Sequence, residues 1–402
     1  MELTRKFLME EAPYTRGAID YFLDPSAERW TQYDPELGYT IRACNLQDGV
    51  DNAWTIHRCG SGGERRMVNW ADRPCRINTY GNSFTEGCQV SDGETWQEVL
   101  AAHLGEPVRN YGVGGYGVYQ AYRRMIRQES SAQEAQYVVL NMFDGDHTRS
   151  VDSWRLLCLP DWLQAHRRGE LLSLFHANPW AHLRIDLDSG RWQERESLSP
   201  TPEALYSLCD PQQVYELLKD DHVVHLVLAQ QHGECDRGDI VARLGELLAV
   251  PVDLSTPEAV RRTASAVHSA YALHSSEYVL DRAEAFAAQR GKKLMVLLSY
   301  SRVTVMAAFR GEERWDRSFV DALRARGLPV VDALQAHVED YAAFNVPPEQ
   351  YVERYYFGHY NPVGNCFFAF AIKDAVVKWL DPKPPAYRKD GHSVARAQAT
   401  VA

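Results

Sequence analysis

One short segment constrains the fold more than any other part of this chain. Residues 80–87 read Tyr-Gly-Asn-Ser-Phe-Thr-Glu-Gly and follow a strand-like stretch at residues 75–79. Small residues near Ser83 let the backbone turn sharply at the carboxyl end of a strand, where amide N–H groups can hold an oxyanion. An ordinary Gly-Asn-Ser loop turn is the alternative interpretation. The segment therefore predicts a strand followed directly by a helix, with a candidate nucleophile at the turn.

Two further segments accompany it. Residues 110–117 read Asn-Tyr-Gly-Val-Gly-Gly-Tyr-Gly, and residues 358–365 read Gly-His-Tyr-Asn-Pro-Val-Gly-Asn at the start of an apolar helix. In this order the three segments resemble blocks I, II and V of the SGNH/GDSL hydrolase superfamily, with Asn82 in place of the usual aspartate. The resemblance implies an α/β fold, namely a flavodoxin-like three-layer sandwich with a central parallel sheet.

The resemblance also implies roles for individual residues. Ser83 would be the nucleophile, His359 the general base, and the amides of Ser83 and Gly115 the oxyanion donors. A serine hydroxyl needs an imidazole within about 3 Å to take its proton. Ser83 and His359 stand near opposite ends of the chain. An open parallel sheet can unite them, because its active site lies along the carboxyl edge of the strands.

The orienting acid of the family pattern is missing from its usual position in this chain. The family places an aspartate two or three residues before the histidine, where this chain has Tyr356 and Phe357. A backbone carbonyl could orient His359 instead and leave a Ser-His dyad, or Glu353 could fold back towards it. The sequence leaves both alternatives open.

The third block also departs from the pattern. Residues 137–147 form a predicted strand and its exit loop, and Gly145 stands where the family has an asparagine that completes the oxyanion hole. Losing one such donor costs about 2.7 to 4 kcal/mol of transition-state stabilisation. His147 or Asn141 could replace it. His147 is favoured, since Asn141 lies inside the strand and is expected to face a neighbour.

Other polar and aromatic residues near the blocks are expected to bind substrate; they are Asn82, Tyr116, Asp144, Asp146 and Tyr356. Asp144, Asp146 and His147 are also candidate metal ligands, since carboxylates and imidazoles bind metal ions. An Asp-x-Asp-His loop is a weak signal, and capping of a helix by Asp146 explains it better. We therefore expect neither a metal nor a cofactor.

Charge, cysteine spacing and the lack of long apolar runs limit the kinds of partner and location that we expect. The chain has 402 residues and a formal net charge of −11, which argues against nucleic acid and anionic membranes as partners. Its eight cysteines include no close pairs, which disfavours disulfide and metal frameworks. No apolar run suits secretion or a membrane span, so a cytoplasmic location is expected. The expected partner is a small-molecule acyl ester, and the oligomeric state is left open.

The chain divides into five predicted segments. Residues 1–74 are an N-terminal, strand-rich accessory segment, residues 75–150 and 291–385 form the two parts of the core, and residues 386–402 are a disordered tail. Residues 151–290 read as an inserted, mostly helical cap with a hairpin at residues 183–196. The cap could shape a substrate pocket, or it could serve dimerisation or stability.

Three functions follow as expectations. The first is an SGNH-type esterase that acts through an acyl-enzyme on Ser83. The second is an O- or N-acyltransferase, in which an alcohol or amine intercepts the same acyl-enzyme. The third is a degenerate member that binds a ligand without turnover, suggested by the two departures.

Overall fold

The structure is a computed structural model that describes residues 2–170, 176 and 179–388. Its strands are β1 Thr31–Asp34, β2 Gly38–Ile41, β3 Cys44–Leu46, β4 Thr55–His57, β5 Ile77–Tyr80, β6 Arg109–Asn110, β7 Tyr137–Phe143, β8 His182–Ile185, β9 Trp192–Arg195, β10 Lys293–Ser299 and β11 Val330–Asp332. Its α-helices are α1 Glu2–Lys6, α2 Arg16–Leu23, α3 Ser83–Glu86, α4 Trp96–Leu104, α5 Val118–Gln128, α6 Asp146–Arg149, α7 Pro160–Arg167, α8 Pro211–Leu218, α9 His222–His232, α10 Gly238–Leu247, α11 Pro257–Gln289, α12 Arg302–Phe309, α13 Arg317–Ala325, α14 Ala333–Tyr341, α15 Pro348–Tyr355 and α16 Pro362–Trp379.

A five-stranded parallel sheet has the order β11-β10-β7-β5-β6. Every residue of β7 is buried, as is every residue of β10 after Lys293. Continuous apolar strands of this kind are typical of parallel sheets covered on both faces. The predicted α/β class with a parallel sheet is confirmed.

The chain forms two compact units. The first contains the described residues up to Thr40, Gly117–Gln120 and the described residues of Gly145–Leu280. The second contains Ile41–Tyr116, Ala121–Asp144 and the described residues from Asp281 onwards, and it includes the whole parallel sheet. The stretch predicted as one accessory segment, residues 1–74, is thus divided between the two units.

In the first unit, N-terminal residues pack with the predicted insertion. The amide of Tyr14 donates to the Leu208 carbonyl at 2.8 Å, and the amide of Thr4 donates to Asp236 Oδ2 at 2.7 Å. The predicted hairpin is confirmed, because β8 and β9 pair antiparallel with Ile185 opposite Trp192.

The described part of the predicted strand-rich segment, residues 1–74, contains β1 to β4 and, before them, helices. α1, a π-helical turn at Phe7–Glu11 and α2 precede the first strand. Thr15 caps α2 by accepting a hydrogen bond from the Ala18 amide, and Ala18, Ile19 and Phe22 are buried on one face. This helical spacing, rather than strand alternation, determines the structure of these residues.

In the second unit, helices follow the strands in the order that parallel pairing requires. α4 packs against α16, and the Trp96 amide donates to Asn365 Oδ1 at 3.0 Å. The carboxyl ends of β5, β6, β7 and β10 lead into four loops at one edge of the sheet. These loops carry Asn82, Gly115, Asp144 and Ser301.

Two further expectations concern membrane-spanning helices and the C-terminal tail. Within the described residues, no helix has the length and apolar character needed to cross a bilayer. Most of the predicted disordered tail, residues 386–402, lies outside the described residues; its first residues belong to a 3-10 turn at Pro385–Tyr387.

Candidate active site

The turn at Ser83 is held by a side-chain cap and a backbone hydrogen bond. Ser83 is the first residue of α3, which follows β5. The Asn82 side chain caps this helix by accepting a hydrogen bond from the Phe84 amide at 2.8 Å. The Gly87 amide donates to the Ser83 carbonyl at 3.0 Å. Asn82 therefore provides the cap that an aspartate at this position could also provide.

Two glycines allow the backbones of the site to approach closely. A Cβ at Gly81 would lie 2.1 Å from Thr85 Oγ1 and 2.5 Å from the carbonyl oxygen of Asn141. A Cβ at Gly112 would lie 2.1 Å from the backbone nitrogen of Glu86. Both positions therefore require glycine. Residues 112–115, here called the glycine loop, pack directly against α3.

A buried carboxylate joins α3 to the glycine loop. Glu86 is 2% exposed, and its Oε2 accepts a hydrogen bond from the Gly114 amide at 2.5 Å. Nδ1 of His57 lies 3.7 Å from the other oxygen, Oε1. Burial favours the neutral acid, but the nearby His57 ring, Arg65 and the Gly114 amide outweigh it and lower the pKa of Glu86. Glu86 is therefore an anion at neutral pH and fixes the glycine loop.

Arg65 holds the segment that connects α3 to α4. Its side chain is 2% exposed and donates to the carbonyl oxygens of Gly87 at 2.7 Å and Val90 at 3.0 Å. The same guanidinium also donates to Asp92 Oδ1 at 3.1 Å. These contacts order the stretch that carries Gln89.

Gln89 contacts His359 at two points. Its Oε1 lies 2.8 Å from Nδ1 of His359 and accepts the backbone N–H of the same residue at 3.0 Å. Its Nε2 donates to the Asp48 carbonyl at 3.1 Å. The centroid of the imidazole ring lies 5.1 Å from that of Phe84, the residue after Ser83. The second unit thus brings His359 beside α3.

The two proposed catalytic residues lie on neighbouring segments of the second unit. Ser83 is 7% exposed, and the ring of the next residue, Phe84, has its centroid 5.1 Å from that of the His359 ring. Catalytic hydrogen bonds in unliganded enzymes are commonly long and shorten once substrate binds. The arrangement is compatible with a nucleophile and its base.

The two candidates for the missing oxyanion donor lie in different units. Asn141 belongs to the second unit, and its Nδ2 donates to Thr85 Oγ1 at 3.0 Å. It faces a neighbouring residue, as the sequence led us to expect. His147 belongs to the first unit, where its Nδ1 lies 2.7 Å from Ser276 Oγ.

The two candidate aspartates form local contacts. Asp144, in the second unit, accepts hydrogen bonds from Ser301 Oγ at 3.0 Å and Thr304 Oγ1 at 2.5 Å at the start of α12. Asp146, in the first unit, pairs with Arg149 Nη1 at 2.9 Å. Among the described residues, no group of three or more His, Cys, Asp or Glu side chains is arranged to hold a metal ion.

The remaining predicted residues vary in exposure. Tyr116 is fully buried in the second unit. Glu353 is exposed on α15, and Gln89 rather than Glu353 occupies Nδ1 of His359. Tyr356 is buried, and its hydroxyl lies 3.1 Å from the Tyr300 carbonyl, to which it can donate.

A buried histidine lies among the tyrosines of this region. Nε2 of His337 is 2.9 Å from the Tyr356 hydroxyl and 3.1 Å from the Tyr360 hydroxyl. Tyr351 donates to Asp340 Oδ2, so its oxygen can accept from His337 Nδ1 at 3.3 Å. Burial lowers the pKa of His337 to about 3. The ring is therefore neutral in the folded protein.

The neutrality of His337 predicts a loss of stability in acid. In the unfolded chain this residue takes up a proton as the pH falls below about 6.5, whereas in the folded protein it stays neutral until about pH 3. Between these values its contribution to the free energy of unfolding falls by up to about 1.4 kcal/mol per pH unit. Urea unfolding from pH 7 to pH 4 should show a shallower decline for His337→Gln than for wild type. The matched control is His103→Gln at an exposed site, which should decline as wild type does.

Comparison with known proteins adds no further constraint. The chain matches no model of a known protein family, and it matches no curated protein.

Sequence reasoning missed Gln89, Glu86 and Arg65. Gln89 is 270 positions from His359, and no local pattern links the two. Glu86 lies within the first of the three segments, at the end of a four-residue helix whose residues are all buried.

Proposed function

We propose that this chain is a serine-dependent carboxylic ester hydrolase of the SGNH type, with the flavodoxin-like three-layer layout of that superfamily. One observation supports it above the others. His359, from the far end of the sequence, lies beside the helix that Ser83 begins, and its Nδ1 contacts a fixed acceptor on Gln89. This arrangement supports a Ser-His pair, because an acceptor at Nδ1 leaves Nε2 as the base.

The proposed reaction has two halves. In the first, Ser83 Oγ attacks the carbonyl carbon of the ester while its proton passes to Nε2 of His359; that proton then goes to the departing alkoxide, which leaves as the alcohol. In the second, water attacks the acyl-enzyme and gives a proton to Nε2. The acid then leaves as the proton returns to Ser83 Oγ.

The oxyanion of each tetrahedral intermediate would be held by the amides of Ser83 and Gly115. The contact between Glu86 and Gly114 supports this role, because it fixes the glycine loop against α3. His147 and Asn141 stay candidates for a third donor. Preformed donors are effective because they need no reorganisation during the reaction.

The substrate we propose is a small-molecule acyl ester. Asn82, Asp144, Asp146, Tyr116 and Tyr356 stay candidate contacts to it. An acyltransferase would form the same acyl-enzyme and differ only in the acceptor, while a ligand-binding member would form none.

The test is intact-protein mass spectrometry after exposure to a fluorophosphonate. Wild type should gain one adduct, which peptide mapping places on Ser83. Ser83→Ala should gain none, and His359→Ala should react at least about 10⁴-fold more slowly. Ser130→Ala, at an exposed serine of the same unit, should label as wild type does.

The outcomes separate the three functions. A folded wild type that stays unlabelled contradicts the enzyme proposal and favours ligand binding. If labelling occurs, an activated short-chain ester is supplied with and without excess alcohol or amine. Turnover that requires the acceptor favours the transferase, and turnover in water alone favours the hydrolase.

A further inference from the structure

The contacts of Gln89 determine which end of its amide faces His359. A backbone N–H can only donate, so the atom 3.0 Å from His359 N must be the amide oxygen. The Asp48 carbonyl can only accept, so the atom 3.1 Å from it must be the amide nitrogen. Two independent partners require the same orientation, which excludes the flipped amide.

This orientation determines the tautomer of His359. The same Oε1 lies 2.8 Å from Nδ1, and an amide oxygen cannot donate. The neutral imidazole must therefore carry its proton on Nδ1. Nε2 then keeps its lone pair, which a base needs in order to take the proton of a serine hydroxyl.

The backbone behind this contact is strained. Gln89 has a φ of +69°, and Asp51 and Asn52, in the loop that follows Asp48, have φ values of +54° and +58°. A residue other than glycine in this left-handed backbone conformation costs about 1–3 kcal/mol of stability, and such residues cluster at functional sites. Thr55 Oγ1 donates to Asp48 Oδ1 at 2.5 Å and holds this loop in place. The strain therefore lies in the two segments that place the Gln89 amide.

Gly358 permits the close approach from the other side. A Cβ there would lie 2.7 Å from Gln89 Oε1. With glycine at this position, one amide oxygen can reach both the backbone N–H and the ring of His359.

We propose that Gln89 is the positioning residue of His359 and occupies, with a neutral amide, the place of the orienting acid. The inference rests on the proposed function, since it assigns a role in the same reaction. Gln89 acts through His359: it selects the tautomer and orients the ring, and it does not touch the reacting atoms. The site is then a Ser-His-Gln triad rather than a dyad.

The first readout is the tautomer itself, which does not depend on activity. Protein labelled with ¹⁵N-histidine is studied by long-range ¹H–¹⁵N NMR, and the His359 signals are assigned by their absence in His359→Ala. Wild type should show a protonated Nδ1 and an unprotonated Nε2. Gln89→Leu removes the acceptor at nearly equal size and should lose this preference. Gln89→Glu keeps an acceptor and should retain it.

The second readout is the rate of fluorophosphonate labelling at Ser83. In a Ser-His-Asp protease triad, loss of the correct histidine tautomer lowers kcat about 10⁴-fold. We therefore expect Gln89→Leu to label about 10²- to 10⁴-fold more slowly than wild type. Gln89→Glu should recover most of that rate. If Gln89→Leu fails to fold, Gly358→Ala replaces it, because the added methyl would displace the amide oxygen and should give the same two changes.

The outcomes distinguish this inference from the proposed function. If wild type labels and Gln89→Leu labels equally fast, or if wild-type His359 carries its proton on Nε2, the role of Gln89 is overturned and the hydrolase stands. If wild type does not label, the hydrolase proposal is overturned. The role of Gln89 in catalysis is then overturned too, whichever tautomer His359 adopts.

Discussion

Glu86→Gln is expected to lower the free energy of unfolding by about 3–5 kcal/mol, the usual cost of removing one partner from a buried charged cluster. The carboxylate is 2% exposed and accepts the Gly114 amide at 2.5 Å. In the variant, the one remaining oxygen can accept from Gly114 only if the amide nitrogen takes the place of Oε1 beside Nδ1 of His57. The positive charge of Arg65 also loses a nearby anion. Chemical unfolding at pH 7 measures the loss.

The same variant should slow the chemistry. If the glycine loop moves, the Gly115 amide that we propose as an oxyanion donor is displaced, and loss of one such donor costs about 10² to 10³ in rate. Labelling at Ser83 should fall by that factor. Glu94→Gln is the matched control: Glu94 is exposed, and glutamine can replace glutamate in the capping box that it forms with Ser91. Equal stability of the two variants would contradict the role given to Glu86.

The acid dependence of Glu86 has a definite sign. Its folded pKa is lowered below the usual 4.5, so its stabilising contribution is complete above about pH 4.5 and is lost as the pH falls through the folded value. His337 acts at higher pH, because its unfolded form begins to take up a proton near pH 6.5. His337 alone of the two therefore contributes between about pH 6.5 and 4.5, and both contribute at lower pH.

Local patterns predicted the elements of the sheet well. The strand-like stretch at residues 75–79 corresponds to β5 Ile77–Tyr80, and the strand predicted within residues 137–147 is β7 Tyr137–Phe143. The apolar helix predicted to begin within residues 358–365 is α16 Pro362–Trp379. Burial of whole strands and periodic helices leaves a signal within a few residues of sequence, which is why these predictions succeeded.

No local sequence pattern indicates the division into two units or the contact between Gln89 and His359. The described residues up to Thr40 group with the described residues of Gly145–Leu280 through contacts such as that of Tyr14 with Leu208, which join positions far apart in sequence. Gln89 reaches His359 only because the loop after α3 and the turn before α16 meet in the folded second unit. A glutamine in a polar loop is common, so its role emerges only from its partners.

The side chain that contacts Nδ1 of His359 was not among the sequence-based candidates for the orienting group. Those candidates were carboxylates near His359, such as Glu353, and backbone carbonyls. The structure instead places a neutral side chain there, six residues after Ser83 in the chain. An amide oxygen satisfies the same requirement as a carboxylate, namely to accept the proton on Nδ1, although it adds no charge.

Gly112→Ala should be the most damaging of the small substitutions in the second unit. The new methyl would lie 2.1 Å from the backbone nitrogen of Glu86 and 2.5 Å from the backbone carbon of Thr85, so no change of rotamer can relieve the overlap. Overpacking commonly costs 1–3 kcal/mol, and we expect a loss of about 3 kcal/mol or more in the free energy of unfolding, because backbone segments must separate. Labelling at Ser83 should be largely lost.

The matched control for this variant is Gly93→Ala. Gly93 is exposed, and a Cβ there would have nothing within 4 Å. Its stability should stay within about 0.5 kcal/mol of wild type. If Gly112→Ala unfolds at the same urea concentration as Gly93→Ala, the glycine loop does not pack against α3 as described. In that case the oxyanion assignment to Gly115 would also lose its support, since both depend on the same close approach.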